Sequence, residues 1–548
     1  MYGFYAPNIN TSTHQHINTS APQQVNTLTH QRLNTLPNLP FSPYPYEVNY
    51  FLGIDIGTGS TKAVAISEAM DKVLSVEQSP YPTFHPVPFA SEQDPEQIWE
   101  AFIQCVQATV ARLGGPPEAI GFSTAMHSVI AIDKNGRPLR KMLTWADSRC
   151  APVARALRAS SYARELYETT GTAIHAMSPL VKLIWLREHE PETFRNAVRF
   201  VSIKEFIWHR LFGEYEMDYS AASGTGLMDI LGRRWNPKSL ELAGINENQL
   251  STLVPTHHRR KDLSPELQQL LTLTTTPWFV VGGGDGCLAN LGSNAITPGV
   301  ACLTIGTSGA VRVASPTPRY NFSSMTFNYI LDEKTYICGG PINNGGVILQ
   351  WYLRDLLGKS PAQITDYTAF ISKAASLSPG ANGLIFLPYL MGERAPVWDS
   401  RVRGAFFGIT TQHRQEHFTR ALMEGISFAL YQVARVLRDA GGEMKQINAS
   451  GGFVHSREWL QILSDIFGMP VYRYNPEDAS SIGAAMIAAR AARGLDAYPP
   501  FQEHQSPEVF QPDAGRHAQY QKPFEVFQRL FSKTRDEMEV LHEMSGDG

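Results

Sequence analysis

Two short units of the same design constrain this chain more than any other feature. Phe51-Leu52-Gly53-Ile54-Asp55-Ile56-Gly57 reads as a buried strand running into a glycine-rich turn, and Ala63-Val64-Ala65-Ile66 beyond it predicts a hairpin. The pattern restarts about 250 residues later. Val300-Ala301-Cys302-Leu303-Thr304-Ile305 is a second strand, Gly306-Thr307-Ser308-Gly309 a second small-residue turn, and Val311-Arg312-Val313 continues past it. A unit that recurs at this spacing predicts two related α/β domains facing each other across a cleft. The length of 548 residues suits that reading, being more than one hydrophobic core usually serves.

Composition narrows the class. Hydrophobic residues at 43% and charged residues at 18% fit a globular protein with ample core. A net charge of -4 gives no general attraction to nucleic acid or anionic lipid. No stretch is apolar for the roughly 18 residues needed to span a bilayer, and the N-terminus lacks a basic start followed by an apolar run. The five cysteines are scattered, odd in number and without CxxC spacing, as expected of a reduced, cytoplasmic compartment. Residues 1–47 stand apart. They carry an eight-residue polar repeat (Ile9-Asn10-Thr11, Ile17-Asn18-Thr19, Val25-Asn26-Thr27, Leu33-Asn34-Thr35) that cannot bury enough apolar surface to offset its ordering entropy. The expected organisation is a disordered tail over 1–47, an N-terminal domain over 48–295 and a C-terminal domain over 296–548.

The turns carry the chemistry. Asp55-Ile56-Gly57-Thr58-Gly59-Ser60-Thr61-Lys62 can offer backbone N–H groups and hydroxyls to phosphate oxygens. Asp55 could hold Mg²⁺ directly or through water, and Lys62 adds a point charge. This is not a Walker A loop, and a plain hairpin with glycines at positive φ would look similar. Gly306, Thr307 and Ser308 form the matching turn, so that one polyphosphate could be gripped from both sides. Gly451-Gly452, before the helical stretch Trp459-Leu460-Gln461-Ile462-Leu463, lets a flat ligand such as adenine approach the backbone; an ordinary strand-to-helix turn would read alike.

Strand–Asp-x-Gly-Thr, a second Gly-Thr turn and a later Gly-Gly turn, in that order, resemble the actin-like (ribonuclease H-like) ATPases. Met177-Ser178-Pro179-Leu180-Val181-Lys182-Leu183-Ile184-Trp185-Leu186 and Gly404-Ala405-Phe406-Phe407-Gly408-Ile409, followed by Arg420-Ala421-Leu422-Met423-Glu424-Gly425, resemble the two signatures of the FGGY carbohydrate kinases. Gly392-Glu393-Arg394-Ala395-Pro396 is also typical of that family, and the likeness runs from about Phe51 to about Arg490. It implies two actin-like domains flanking a cleft, with ATP and Mg²⁺ as cofactors. The resemblance also places a catalytic base at Asp285 in Gly282-Gly283-Gly284-Asp285-Gly286, read as a glycine-rich turn at the end of the apolar strand Trp278-Phe279-Val280-Val281, where the same carboxylate could share Mg²⁺ with Asp55. An attacking sugar hydroxyl needs alignment, charge neutralisation and an acceptor for its proton. The alternative for Asp285 is a helix N-cap for Cys287-Leu288-Ala289-Asn290.

The resemblance places the sugar near Met126, His127, Trp145, Asp147 and Arg149. Ser123–Ile130, Thr144–Arg149, Gly171–His175 and Gly339–Gly346 are similar to the gluconate kinases of the family. They imply phosphorylation of D-gluconate to 6-phospho-D-gluconate; a xylulose kinase is the runner-up, and a silent sugar-binding regulator the non-enzymatic alternative. A sugar acid needs a cation or several donors. Arg149, His127, His175 and Lys204 are the candidates, with Arg149 first because it flanks the pocket motif. Sugar acid and ATP are the expected partners, and a homodimer is compatible with the family.

Overall fold

The computed structural model describes residues 48–359, 368–474, 478–501 and 507–545. The expected tail at 1–47 lies outside the described residues. Strand β1 (Tyr50–Ile56) is apolar on both faces and sits inside a six-stranded sheet. It pairs antiparallel with β2 (Ser60–Ser67), in register from Tyr50↔Ser67 to Ile56↔Thr61, and β2 pairs with β3 (Val73–Pro80). On its other side lie the parallel strands Ala119–Thr124 and Trp278–Gly284, then the antiparallel edge Arg259–Arg260.

The second sheet repeats this plan. Gly299–Ile305 pairs antiparallel with Gly309–Ser315, which pairs with Tyr336–Ile342; on the other side come the parallel strands Met444–Ser450 and Val471–Arg473. The repeat extends to register: Asp55, next to last in its strand, lies beside Ser123, and Thr304, next to last in its strand, lies beside Ser450. Both pairs are hydrogen-bonded, Ser123 Oγ donating to Asp55 Oδ1 at 2.6 Å and the Thr304 and Ser450 hydroxyls lying 2.9 Å apart.

The two halves interlock through a helix. Ala479–Arg493, rich in small residues, lies on the first sheet although it belongs to the C-terminal half. A Cβ at Gly53 would stand 1.8 Å from the Ser481 carbonyl oxygen, and one at Gly121 2.0 Å from that of Ala484. Only glycine permits so close an approach of helix and sheet. The same helix packs along Asp285–Gly292 of the N-terminal half. Gly282–Gly284, expected as a turn, instead finish the strand Trp278–Gly284, whose register shifts between Val280 and Gly283 with Gly282 at φ +70°. All five cysteines are buried free thiols, and no described helix is long and apolar enough to cross a membrane.

Candidate active site

The two turns occupy equivalent places at the ends of the two central hairpins. In the first, Gly57 N–H donates to the Ser60 carbonyl at 3.0 Å, and Tyr81 O–H donates to the Gly57 carbonyl at 2.6 Å. This leaves Thr58 and Gly59 exposed at the tip. Thr61 is buried in the strand, Ser60 Oγ accepts from Gln78, and Lys62 Nζ lies 2.5 Å from Asp478 Oδ1. In the second turn Gly306 and Thr307 are exposed and Ser308 half-buried, and Gly306 O accepts from Gly346 N at 2.7 Å. A cavity of about 530 Å³ joins Gly306 and Thr307 to Gly452, Phe453, Leu349 and Trp459. Gly451, at φ +95°, lets this wall pass over Ile305. The second and third glycine turns therefore border one cavity.

Between the halves stand three carboxylates. Burial, and then the nearby Asp285 charge, push Asp55 up to about 6, with Asp478 adding to the rise; Ser123 and Lys62 oppose it. Asp285 is the first residue of the helix Asp285–Gly292, whose N-cap is Gly284, and its Oδ1 accepts from Gly286 N at 2.7 Å. Burial raises its pKa, while the charges of Arg312, Arg394 and Lys204 pull it down. Asp55, whose proton affinity the Asp285 and Asp478 charges raise, sits where a hard cation would relieve that repulsion, and oxygen donors suit Mg²⁺. Among the described residues no group of three or more His, Cys, Asp or Glu forms a metal cage.

Arg312 had no distinguishing signal in the sequence, being an alternate residue of a strand. Its Nη1 donates to Thr304 Oγ1 at 3.3 Å, and its guanidinium lies over Gly286, beside Asp285.

Of the residues expected to meet the sugar, Met126 and Lys204 stand close to Asp285. Met126 packs on Gly284, where a Cβ would come within 2.4 Å of its sulfur. His127 is at φ +71°. Its Nδ1 faces the Gly224 carbonyl at 2.8 Å and must carry the proton, so Nε2 accepts from Tyr329 O–H at 3.2 Å. Burial and then Lys182 lower its pKa to about 3, and the ring is neutral. Trp145 Nε1 donates to Thr58 Oγ1 at 2.9 Å, tying the sugar side to the first turn, and the Arg394 guanidinium lies 4.8 Å above its ring. Asp147 and Arg149 are bound to each other at 2.7 Å; Arg149 also meets Glu92 at 2.6 Å and covers Trp185, and Asp147 accepts from Ser91 N at 2.9 Å. Lys204 forms a wholly buried ion pair with Asp218.

The arrangement can hold a polyphosphate between two turns and a hydroxylated ligand against Trp145, with a carboxylate at their junction. Residues 50–292 match the N-terminal domain of the FGGY family of carbohydrate kinases, and residues 301–492 match its C-terminal domain. The chain is 41% identical over 462 residues to the gluconokinase of Bacillus subtilis (strain 168), covering 82% of this chain and 89% of the relative. This chain belongs to the FGGY carbohydrate kinase family. Its fold is accordingly that of a two-domain actin-like ATPase, and it is a carbohydrate kinase. The crystal structure of a gluconate kinase from Lactobacillus acidophilus superposes with a TM-score of 0.83 at 31% identity, covering 89% of this chain and 98% of that one. A ligand-bound xylulose kinase from the same organism gives 0.83 and 31%, covering 89% and 99%.

Proposed function

We propose that this kinase transfers the γ-phosphoryl group of ATP to the 6-hydroxyl of D-gluconate, yielding 6-phospho-D-gluconate and ADP. The observation that carries the reading is Asp285, mounted between the phosphate turns and the surface of Met126 and Trp145. Its carboxylate accepts the hydroxyl proton as the 6-oxygen bonds to phosphorus, and the bond from phosphorus to the β–γ bridging oxygen breaks in line. Thr58, Gly59, Gly306 and Thr307 present donors to the phosphates, and the adenine lies along Gly451 and Gly452 in the adjoining cavity. Arg312 neutralises charge on the transferring group. Asp55 and Asp285 would hold Mg²⁺ directly or through water, and the ion would supply further neutralisation of phosphate charge.

Gluconate is favoured over xylulose by the 41% identity to a gluconokinase over most of both chains. A xylulose kinase of equal structural likeness keeps the neutral ketose as the second reading. A silent regulator fits poorly with Asp55, Asp285 and both turns all in place. The test is coupled ADP release over a panel of sugars and sugar acids. The highest kcat/KM is expected with D-gluconate. A preference for D-xylulose, or turnover indifferent to any sugar, would overturn the proposal.

A further inference from the structure

Resting on gluconate as the substrate, we infer that Arg394, reaching across the cleft from the C-terminal half, is the residue that binds the sugar acid's carboxylate. The four cations that the sequence offers are committed elsewhere. Arg149 is ion-paired with Asp147 and Glu92, and Lys204 with Asp218. His127 has both ring nitrogens engaged. His175 is buried, accepts from Met177 N at 3.2 Å and is held neutral by burial and then by the charges of Arg158 and Arg394.

Arg394 differs from all of these. The residue is 8% exposed, and its Nε is buried with no hydrogen-bond partner among the described residues. A guanidinium donor left unpaired in such a place costs desolvation energy unless a ligand meets it. Its Nη2 donates to the Ile342 carbonyl at 2.9 Å, which fixes the plane of the fork. The neighbouring Glu393 is the strongest opposite charge acting on it, but its oxygens are bonded to other donors. Glu393 accepts from Asn343 N at 2.6 Å, from Arg394's own N–H at 2.8 Å and from Asn344 Nδ2 at 3.1 Å, and burial pushes its carboxyl up to about 7. These bonds hold the backbone that presents Arg394 and keep the Glu393 carboxylate from capping the guanidinium Nε.

Position decides between the two ends of the reaction. Arg312 is bonded at Thr304, at the root of the second phosphate turn. Arg394 lies instead over Trp145, 4.8 Å from its ring, and its charge reaches Asp285, His127 and His175, so it borders both the carboxylate and the residues expected to meet the sugar. An acid whose 6-hydroxyl meets Asp285 runs its chain past Trp145. The planar carboxylate at its far end matches the guanidinium fork in shape and charge.

The experiment compares D-gluconate with D-gluconamide, its neutral analogue, as acceptors for the wild type and for Arg394→Gln and Arg394→Lys. A hydrogen-bonded charge pair of this kind corresponds to roughly 10- to 100-fold in affinity. The wild type should use gluconate with a KM lower than that for the amide by about that factor. Arg394→Gln should raise the gluconate KM by a similar factor, leave the amide KM within about threefold and spare the KM for ATP. Arg394→Lys, with the charge but no fork, should fall between. A wild type that uses acid and amide equally would overturn the inference, as would an Arg394→Gln that loses both acceptors by the same factor. A wild type that does not phosphorylate gluconate at all would instead overturn the proposed function, and this inference with it. Because the readout is a ratio of two acceptors on one variant, general damage to the fold cancels.

Discussion

Asp55→Asn should leave the metal-free protein inactive yet more stable at neutral pH. Burial and the neighbouring Asp285 lift the Asp55 pKa from 3.8 to about 6. The folded state therefore holds this proton more tightly than the unfolded chain does. Stability is full below about pH 4 and falls as pH rises through about 6, where the folded-state carboxyl ionises. A rise of that size corresponds to about 3 kcal/mol of lost stability at pH 7. Asparagine retains an acceptor for the Ser123 hydroxyl, now 2.6 Å from Oδ1, and has no charge to desolvate. Urea melts in a chelator at pH 4, 5.5 and 7.5 measure the effect. The variant should exceed the wild type by up to about 3 kcal/mol at pH 7.5 and match it near pH 4. Mg²⁺ and ATP should stabilise the wild type and restore none of the variant's turnover. A variant less stable than the wild type at pH 7.5 would refute the reasoning, because Asp55 would then be an ordinary, well-compensated polar residue.

Three further outcomes are expected. Asp285→Asn, which cannot take the hydroxyl proton, should lower kcat by roughly 10²- to 10⁴-fold while ATP binding by calorimetry persists; near-normal turnover would remove Asp285 from the role of base. Gly53→Ala places a Cβ 1.8 Å from the Ser481 carbonyl oxygen and should lose about 3 kcal/mol. A wild-type melt from that variant would mean that the helix Ala479–Arg493 is not seated on the sheet. Deleting residues 1–47 should leave turnover and melting temperature nearly unchanged, since the first strand begins at Tyr50; a drop of many degrees would show that these residues pack on the fold.

The sequence by itself determined what depends on near neighbours. Strand, tight turn and strand are spelled within a dozen residues, so both central hairpins, their phosphate-type turns and the duplication were legible, as was Asp285 at a strand's end. The boundary of that strand was misplaced because glycines that close a bulged strand and glycines that form a turn look alike in one dimension. What only the tertiary structure decided is which charge meets which. Lys62 faces Asp478, more than four hundred residues away, rather than standing free beside its turn. Arg149 is consumed by Asp147 and Glu92, and Lys204 by Asp218. Arg312 and Arg394 are brought to the cleft by the second sheet and by the segment packed beside it. An arginine's reach is several ångströms and its partner is set by whatever backbone passes within that reach. Such pairings follow from packing between halves, which no local pattern of residue types records.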